Sequence, residues 1–194
     1  DNCEIDRLVL ANESDAPKSF TVFSYVEFCL WNAVDDSTNF QRNFSTGEVE
    51  VEGSTIYHKT EYRERRDHYA LYTVNAPVDG FDTSRDAFLG AWRSNSNPEA
   101  VEKGACTNSV AHGWAPVGVH QINVTLNPGE SRSLIYMLGY IENPQEEKWA
   151  APGVINKTRA HELMARYATD AQVDEALAKL HAHWNNLLST YAVK

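Results

Sequence analysis

Chemistry concentrates first between Trp31 and Asn43, where the segment WNAVDDSTNFQRN sets two adjacent carboxylates, Asp35 and Asp36, ahead of Asn39, Phe40, Gln41, Arg42 and Asn43. Amides and a guanidinium can hydrogen-bond the hydroxyls of a sugar while an aromatic covers a pyranose face. The same segment is open to a plainer reading, a polar connection between two strands. A second group, Phe81, Asp82, Arg85, Asp86, Trp92 and Arg93, falls within GFDTSRDAFLGAWRSNSNPEAVEKG. Cleaving a glycosidic bond needs a positioned acid. Asp35, Asp36, Asp82 and Asp86 each stand in a loop with aromatics nearby, yet acidic loops carry such residues by default, and no spacing marks one of them as a general acid. No residue is assigned as catalytic.

Other chemistries fare worse. His181 and His183 are two apart in a helical pattern and so point to different faces. His112 and His120, in HGWAPVGVH, have no carboxylate spaced to complete a set of metal ligands. There is no G-x-S-x-G elbow, no Cys/His/Asn pattern and no glycine-rich phosphate loop. The sequence therefore calls for no metal and no cofactor.

The elements that must position these loops read mainly as β. Glu4–Asn12 alternates loosely, and Phe20–Trp31 is a long aromatic and β-branched run, dense enough for burial on both faces. Glu48–Glu52 alternates Glu and Val, which predicts a strand with one wet face, and Gly53-Ser54 predicts a tight turn into Thr55–Tyr62. Asp67–Val74 is a further strand. Patterning weakens from Val78 to Asn108, as in a long functional loop. Val117–Leu126 and Ser131–Tyr140 flank Asn127-Pro128-Gly129 and read as an antiparallel hairpin.

Beyond Glu142-Asn143-Pro144 the character becomes helical. Asn156 or Thr158 can cap a helix to about Ala168, and Thr169-x-x-Gln172 is a capping-box start for a longer one. Val173, Ala176, Leu177, Leu180, Trp184, Leu187, Leu188 and Tyr191 form one apolar stripe on that second helix, which needs a surface to pack on. The expected architecture is an antiparallel β-sandwich over residues 1–150 followed by a two-helix segment over 151–194.

Bulk properties narrow the partners. With 194 residues, 42% hydrophobic and 11% aromatic, the chain has material for one well-packed domain plus an appendage. A net charge of -10, with Arg63, Arg65 and Arg66 interleaved with Glu61, Glu64 and Asp67, argues against nucleic acid and acidic membrane surfaces. No apolar stretch is long enough to span a bilayer. Cys3, Cys29 and Cys106 are odd in number and widely spaced, which favours a reducing, cytoplasmic setting. The chain opens at Asp1 and runs at once into a strand pattern, which reads as a piece of a longer polypeptide.

The blocks FCLWNAVDDSTNFQRNFSTGEVEVEGSTIYHKTEYRERRDHYALYTVNAPVDGFDTSRDAFLG, SVAHGWAPVGVHQINVTLNPGE, LGYIENPQEEKW and HWNNLLSTY together resemble the inverting disaccharide phosphorylases of glycoside hydrolase family 94, above all its cellobiose-acting members. The resemblance covers essentially the whole chain. It implies part of an N-terminal β-super-sandwich domain plus a helical linker, with the catalytic (α/α)6 barrel lying outside this chain. It further implies a homodimer that uses inorganic phosphate and cellobiose to make α-glucose 1-phosphate and glucose, without a metal. In that family a sandwich loop reaches over the partner's active site, and Asn39–Arg42 is where this chain matches it. Gln41 and Arg42 would bond hydroxyls of the acceptor glucose with Phe40 and Asn39 beside them, while an Arg42 ion pair with Asp35 or Asp36 stays open. The fragment is expected to be inactive alone. The alternative is a freestanding carbohydrate-binding or structural β module.

Overall fold

The computed structural model describes residues 1–28, 47–60, 67–111, 113 and 116–189. Ten strands are described: β1 (Cys3–Ala11), β2 (Lys18–Glu27), β3 (Gly47–Glu52), β4 (Thr55–Thr60), β5 (His68–Val74), β6 (Gly80–Ser84), β7 (Pro116–Leu126), β8 (Ser131–Glu142), β9 (Trp149–Ala151) and β10 (Val154–Ile155). Two short helices, α1 (Arg85–Leu89) and α2 (Glu99–Lys103), follow β6, and α3 (Thr158–Ala165) and α4 (Asp170–Leu188) end the described chain. The strands form a five-stranded sheet in the order β1-β8-β5-β4-β3, a three-stranded sheet β2-β7-β6 and the hairpin β9-β10, all antiparallel.

Four layers result. Between the two sheets lies a core of Ile56, Tyr72, Val74, Leu134 and Tyr136 from the larger sheet against Ile122, Val124 and Leu126 from the smaller. The outer face of the larger sheet carries Tyr57, Tyr69, Leu71 and Met137, covered by Ile155, Ala160 and Leu163. The outer face of the smaller sheet carries Val117 and Val119 under Phe88, Leu89 and Ala100 of α1 and α2. Successive strand side chains point to opposite faces, so β5 serves two cores at once, which explains its nearly continuous apolar run. Burying the sheets on both sides is what a sandwich with helical caps requires.

Two contacts set the close approach of the layers. Gly118 in β7 faces inward, and a Cβ built there would stand 2.8 Å from Tyr72 Cδ1 and 3.0 Å from Val26 Cγ2. Gly139 in β8 faces the other way, where a Cβ would meet Leu71 and Leu163 at 3.2 and 3.3 Å.

The antiparallel β-sandwich followed by two helices stands as expected, but several local readings change. Asn127-Pro128-Gly129 does make a tight turn, with Gly129 at φ 75°, yet β7 and β8 do not pair with each other. The chain crosses there from the smaller sheet to the larger, and between β1 and β2 it crosses the other way. Buried Asn12 ties the two crossings together. Its N–H donates to Glu130 O at 2.9 Å, its carbonyl accepts from Gly129 N at 2.8 Å, and its Nδ2 donates to the carbonyls of Leu126 and Ala16 at 2.9 Å. Turn chemistry alone cannot separate a hairpin from such an arch, because the turn residues are the same.

β2 stops at Glu27 in the described chain and is a half-buried edge strand instead of a doubly buried one. The stretch from Val78 to Asn108, read as a loop, contains β6, α1 and α2. The hairpin β9-β10 went unforeseen and straddles residue 150. The first terminal helix ends at Ala165, short of Ala168. The capping box of α4 is present: Thr169 N–H donates to Gln172 Oε1 at 3.0 Å, and Gln172 N–H donates to Thr169 Oγ1 at 3.4 Å.

Candidate functional site

Asn39, Phe40, Gln41 and Arg42, with Asp35 and Asp36, lie outside the described residues. The second candidate group is described, and it divides into structural anchors and one free aromatic.

Asp82 sits on β6 with no exposed surface. Its Oδ1 accepts from Thr107 Oγ1 at 2.6 Å, Ser109 Oγ at 2.7 Å, Ser109 N at 3.0 Å and Thr107 N at 3.2 Å. A carboxylate so occupied pins the 105–109 segment to the sheet, and its complete burial leaves no surface for a ligand. Beside it, burial and then the Asp82 charge push the Cys106 thiol up to about 12, so it behaves as a small apolar group.

Arg85 opens α1, whose N-cap is Ser84. Its Nε donates to Glu27 Oε1 at 3.2 Å, and Tyr25 OH donates to the same oxygen at 2.6 Å. Burial, together with the Glu27 acceptor, raises the Tyr25 phenol above its ordinary range and keeps it a donor. Tyr25 also stacks on Phe88 of α1 with centroids 5.3 Å apart, and Phe23 packs on it at a tilt, 6.3 Å away. Arg85 thus fastens the α1–α2 cap to the last residue of β2, one residue short of the end of the described stretch 1–28. Asp86 lies in the first turn of α1, where a carboxylate favours the helix dipole. Arg93 pairs with Glu102 on α2 and reaches Asn97 O at 3.5 Å. Trp92, between them, is fully exposed.

The histidines divide by burial. His120 is 1% exposed between the sheets, its ring 4.8 Å from Tyr72. Burial lowers its pKa to about 4, so it is a neutral core residue. His112 lies outside the described residues, and His181 and His183 lie exposed on α4. Among the described residues no group of three or more His, Cys, Asp or Glu could hold a metal ion.

One charged cluster was not foreseen from the sequence. Lys59, on the outer face of β4 with its side chain 8% exposed, lies 2.9 Å from Glu48 and 3.1 Å from Glu50 and also bonds Gly153 O in the hairpin turn. Lys157 lies 3.0 Å from Glu50 and 3.1 Å from Glu52. Burial works against the Glu50 charge, but the Ile155 N–H, Lys157 and Lys59 outweigh it and hold its pKa below the ordinary value. The Glu face of β3 is therefore only partly wet, and the cluster clamps the hairpin and the approach to α3 onto the larger sheet. Each ammonium already has carboxylate partners, which leaves little charge for a phosphate.

A helix-capped double sheet serves many unrelated functions, and it is comparison with known proteins that supplies the class. Residues 1–170 match the supersandwich domain of glycosyl hydrolase 94, and the chain belongs to that family. It is 31% identical, over its whole length, to an N,N'-diacetylchitobiose phosphorylase of Vibrio proteolyticus, of which it spans 22%. It is 28% identical over 95% of its length to one from Vibrio furnissii, spanning 21% of it. It is also 28% identical over 96% of its length to a solabiose phosphorylase of Paenibacillus borealis, spanning 25%. The chain thus spans a quarter or less of these relatives.

Proposed function

We propose that this chain is the supersandwich and linker part of a longer, cytoplasmic, homodimeric disaccharide phosphorylase. The whole protein would cleave cellobiose reversibly with inorganic phosphate to α-glucose 1-phosphate and glucose. The observation that carries the reading is the supersandwich match over residues 1–170 in a chain whose relatives are disaccharide phosphorylases several times its length. Cellobiose is our assignment from the resemblance carried together by the FCLWNAVDDSTNFQRNFSTGEVEVEGSTIYHKTEYRERRDHYALYTVNAPVDGFDTSRDAFLG, SVAHGWAPVGVHQINVTLNPGE, LGYIENPQEEKW and HWNNLLSTY blocks; N,N'-diacetylchitobiose and solabiose are the competing substrates.

In this reading a phosphate oxygen attacks the anomeric carbon from the face opposite the departing glucose. The glycosidic C–O bond breaks as a carboxylic acid delivers its proton to the leaving oxygen, and the β-linked sugar emerges as the α-phosphate. Asp82 is unsuited to be that acid, since it is fully buried and its Oδ1 is bonded to Thr107 and Ser109 inside the fold. The barrel outside residues 1–194 would supply it. Asn39, Phe40, Gln41 and Arg42 would bind acceptor glucose in the partner's active site, with residues 1–150 as sandwich and 151–194 as linker.

A freestanding carbohydrate-binding module is the second reading, favoured by the exposed Trp92. Against it stands α4, whose Leu177, Leu180, Trp184, Leu187 and Leu188 remain exposed along one stripe. The test is phosphate-dependent release of glucose 1-phosphate from cellobiose, with N,N'-diacetylchitobiose and solabiose in parallel. It compares the 194-residue chain with the longest polypeptide encoded around it. The longer protein is expected to be active on cellobiose and the chain inert. Turnover by the pure chain overturns the fragment reading, and preference for another disaccharide moves the substrate.

A further inference from the structure

Trp92 combines two features that are costly unless used. Its side chain is fully exposed, at 104% of the reference surface, and its backbone is left-handed, at φ 62°. Gly or Asn would adopt that conformation with little strain, whereas a bulky aromatic rarely does.

The turn that carries it is braced on both sides. Gly90 N–H donates to Asp86 O at 2.9 Å, and Arg93 N–H donates to Gly90 O at 3.4 Å. Ser94 N–H donates to Asn97 Oδ1 at 3.2 Å, and Arg93 pairs with Glu102 on α2. Among the described tryptophans, Trp149 has the Lys148 and Lys59 ammonium groups 4.6 and 5.2 Å from its ring, and Trp184 packs on His183. The Trp92 indole has no ring or cation against it among the described residues. A fixed loop thus presents both faces of an aromatic to solvent.

We propose that Trp92 is a stacking platform for the pyranose rings of a β-linked glucan chain. Such a ring offers a flat C–H face to an indole and equatorial hydroxyls at its rim. The turn supplies the matching rim, since Ser94, Asn95, Ser96 and Asn97 all carry hydroxyl or amide side chains at the surface. An anchor for a protein partner would instead sit within a ring of apolar neighbours. The choice of a β-glucan rests on the phosphorylase reading; the existence of the platform rests on the geometry of the turn.

The test is an NMR titration of the 194-residue chain, reading indole N–H resonances, with the Trp92 signal assigned by its loss in Trp92→Phe. Cellohexaose is the ligand and maltohexaose the α-linked control. The expected result is a saturable shift of the Trp92 signal with cellohexaose alone, and an affinity by calorimetric titration at least about tenfold weaker in Trp92→Ala than in the parent. Trp92→Gly should melt no lower than the parent, because glycine relieves the left-handed strain. Absence of a Trp92 shift, unchanged affinity in Trp92→Ala, or equal response to maltohexaose overturns the proposal. So does a lower melting temperature in both Trp92→Ala and Trp92→Gly, which would make the indole a packing residue. None of these outcomes touches the phosphorolysis assay, and a failed assay leaves the titration intact.

Discussion

Tyr72 and His120 stack across the interface between the two sheets, their ring centroids 4.8 Å apart and their planes 17° from parallel. Tyr136 extends the stack, 6.1 Å from Tyr72. His120 Nδ1 reaches Ser24 Oγ at 3.5 Å, and its Nε2 has no partner in hydrogen-bond geometry among the described residues. The Ser54 backbone near the ring offsets only part of the cost of burial. An imidazolium there would carry an uncompensated charge in the core.

This makes stability pH-dependent in a stated direction. Burial lowers the His120 pKa from 6.5 to about 4, so between those values the unfolded chain takes up a proton that the fold refuses. The stabilisation is present above pH 6.5 and is lost as pH falls toward 4. A pKa lowered this far corresponds to a loss on the order of a few kcal/mol. Urea midpoints should fall steadily from pH 7 to pH 4.5 in the parent and fall less in His120→Leu. Parallel slopes in the two proteins would rule out His120 as the source.

Gly118 lies two residues before His120 and beneath the same Tyr72 ring, which a Cβ would approach to 2.8 Å. Gly118→Ala should cost about 1–3 kcal/mol by overpacking. For a protein of this size that lowers the melting temperature by roughly 2–4 °C per kcal/mol. Tyr72→Leu in the same chain should recover part of the loss. Strictly additive costs would mean that Tyr72 is not what the new methyl group meets.

The layers of this fold were legible because alternation survives wherever one face is wet or a turn is tight, as in Val49, Val51 and Gly53. What escaped is what depends on distant partners. Pro128-Gly129 specifies a reversal but not whether the returning strand joins the same sheet, and Asn12, more than a hundred residues earlier, decides that. Phe81–Ser84 looked irregular because Asp82 and Thr83 are polar, yet both are buried and bonded to the 107–111 segment. Of the candidate site, Asp82, Arg85 and Arg93 could be judged only by their partners. Nothing in the local sequence of Trp92 reveals that its ring stands free.

Asp82 separates a structural from a catalytic role. Asp82→Ala removes the oxygen that accepts from Thr107 and Ser109, leaving those donors unsatisfied. A cost of about 1–3 kcal/mol per stranded donor is expected in urea unfolding. In the longer phosphorylase proposed above, kcat measured well below the melting temperature should change little. A loss of kcat by orders of magnitude with unaltered stability would instead make Asp82 part of the chemistry.

Lys59 tests whether the charged cluster holds the hairpin that leads into α3. Its ammonium bonds Gly153 O and lies near Glu48, Glu50 and the Trp149 ring, so Lys59→Met removes the link from β4 to the hairpin turn. Lys157 still neutralises Glu50, 3.0 Å away. The cost should therefore fall below the roughly 3–5 kcal/mol of a fully orphaned buried charge. The clearest readout is local: amide exchange at Gly153 and Ile155 should accelerate while the core of β5 and β8 stays protected. Glu50 is expected to show the same link from the other side. Its carboxylate contributes stability above pH 4.5, lost as pH falls through its depressed folded pKa, and Lys157→Met should weaken that contribution more than Lys59→Met does. If Lys59→Met loosens the whole chain uniformly, the cluster belongs to the global core and does not act as a clamp on the hairpin.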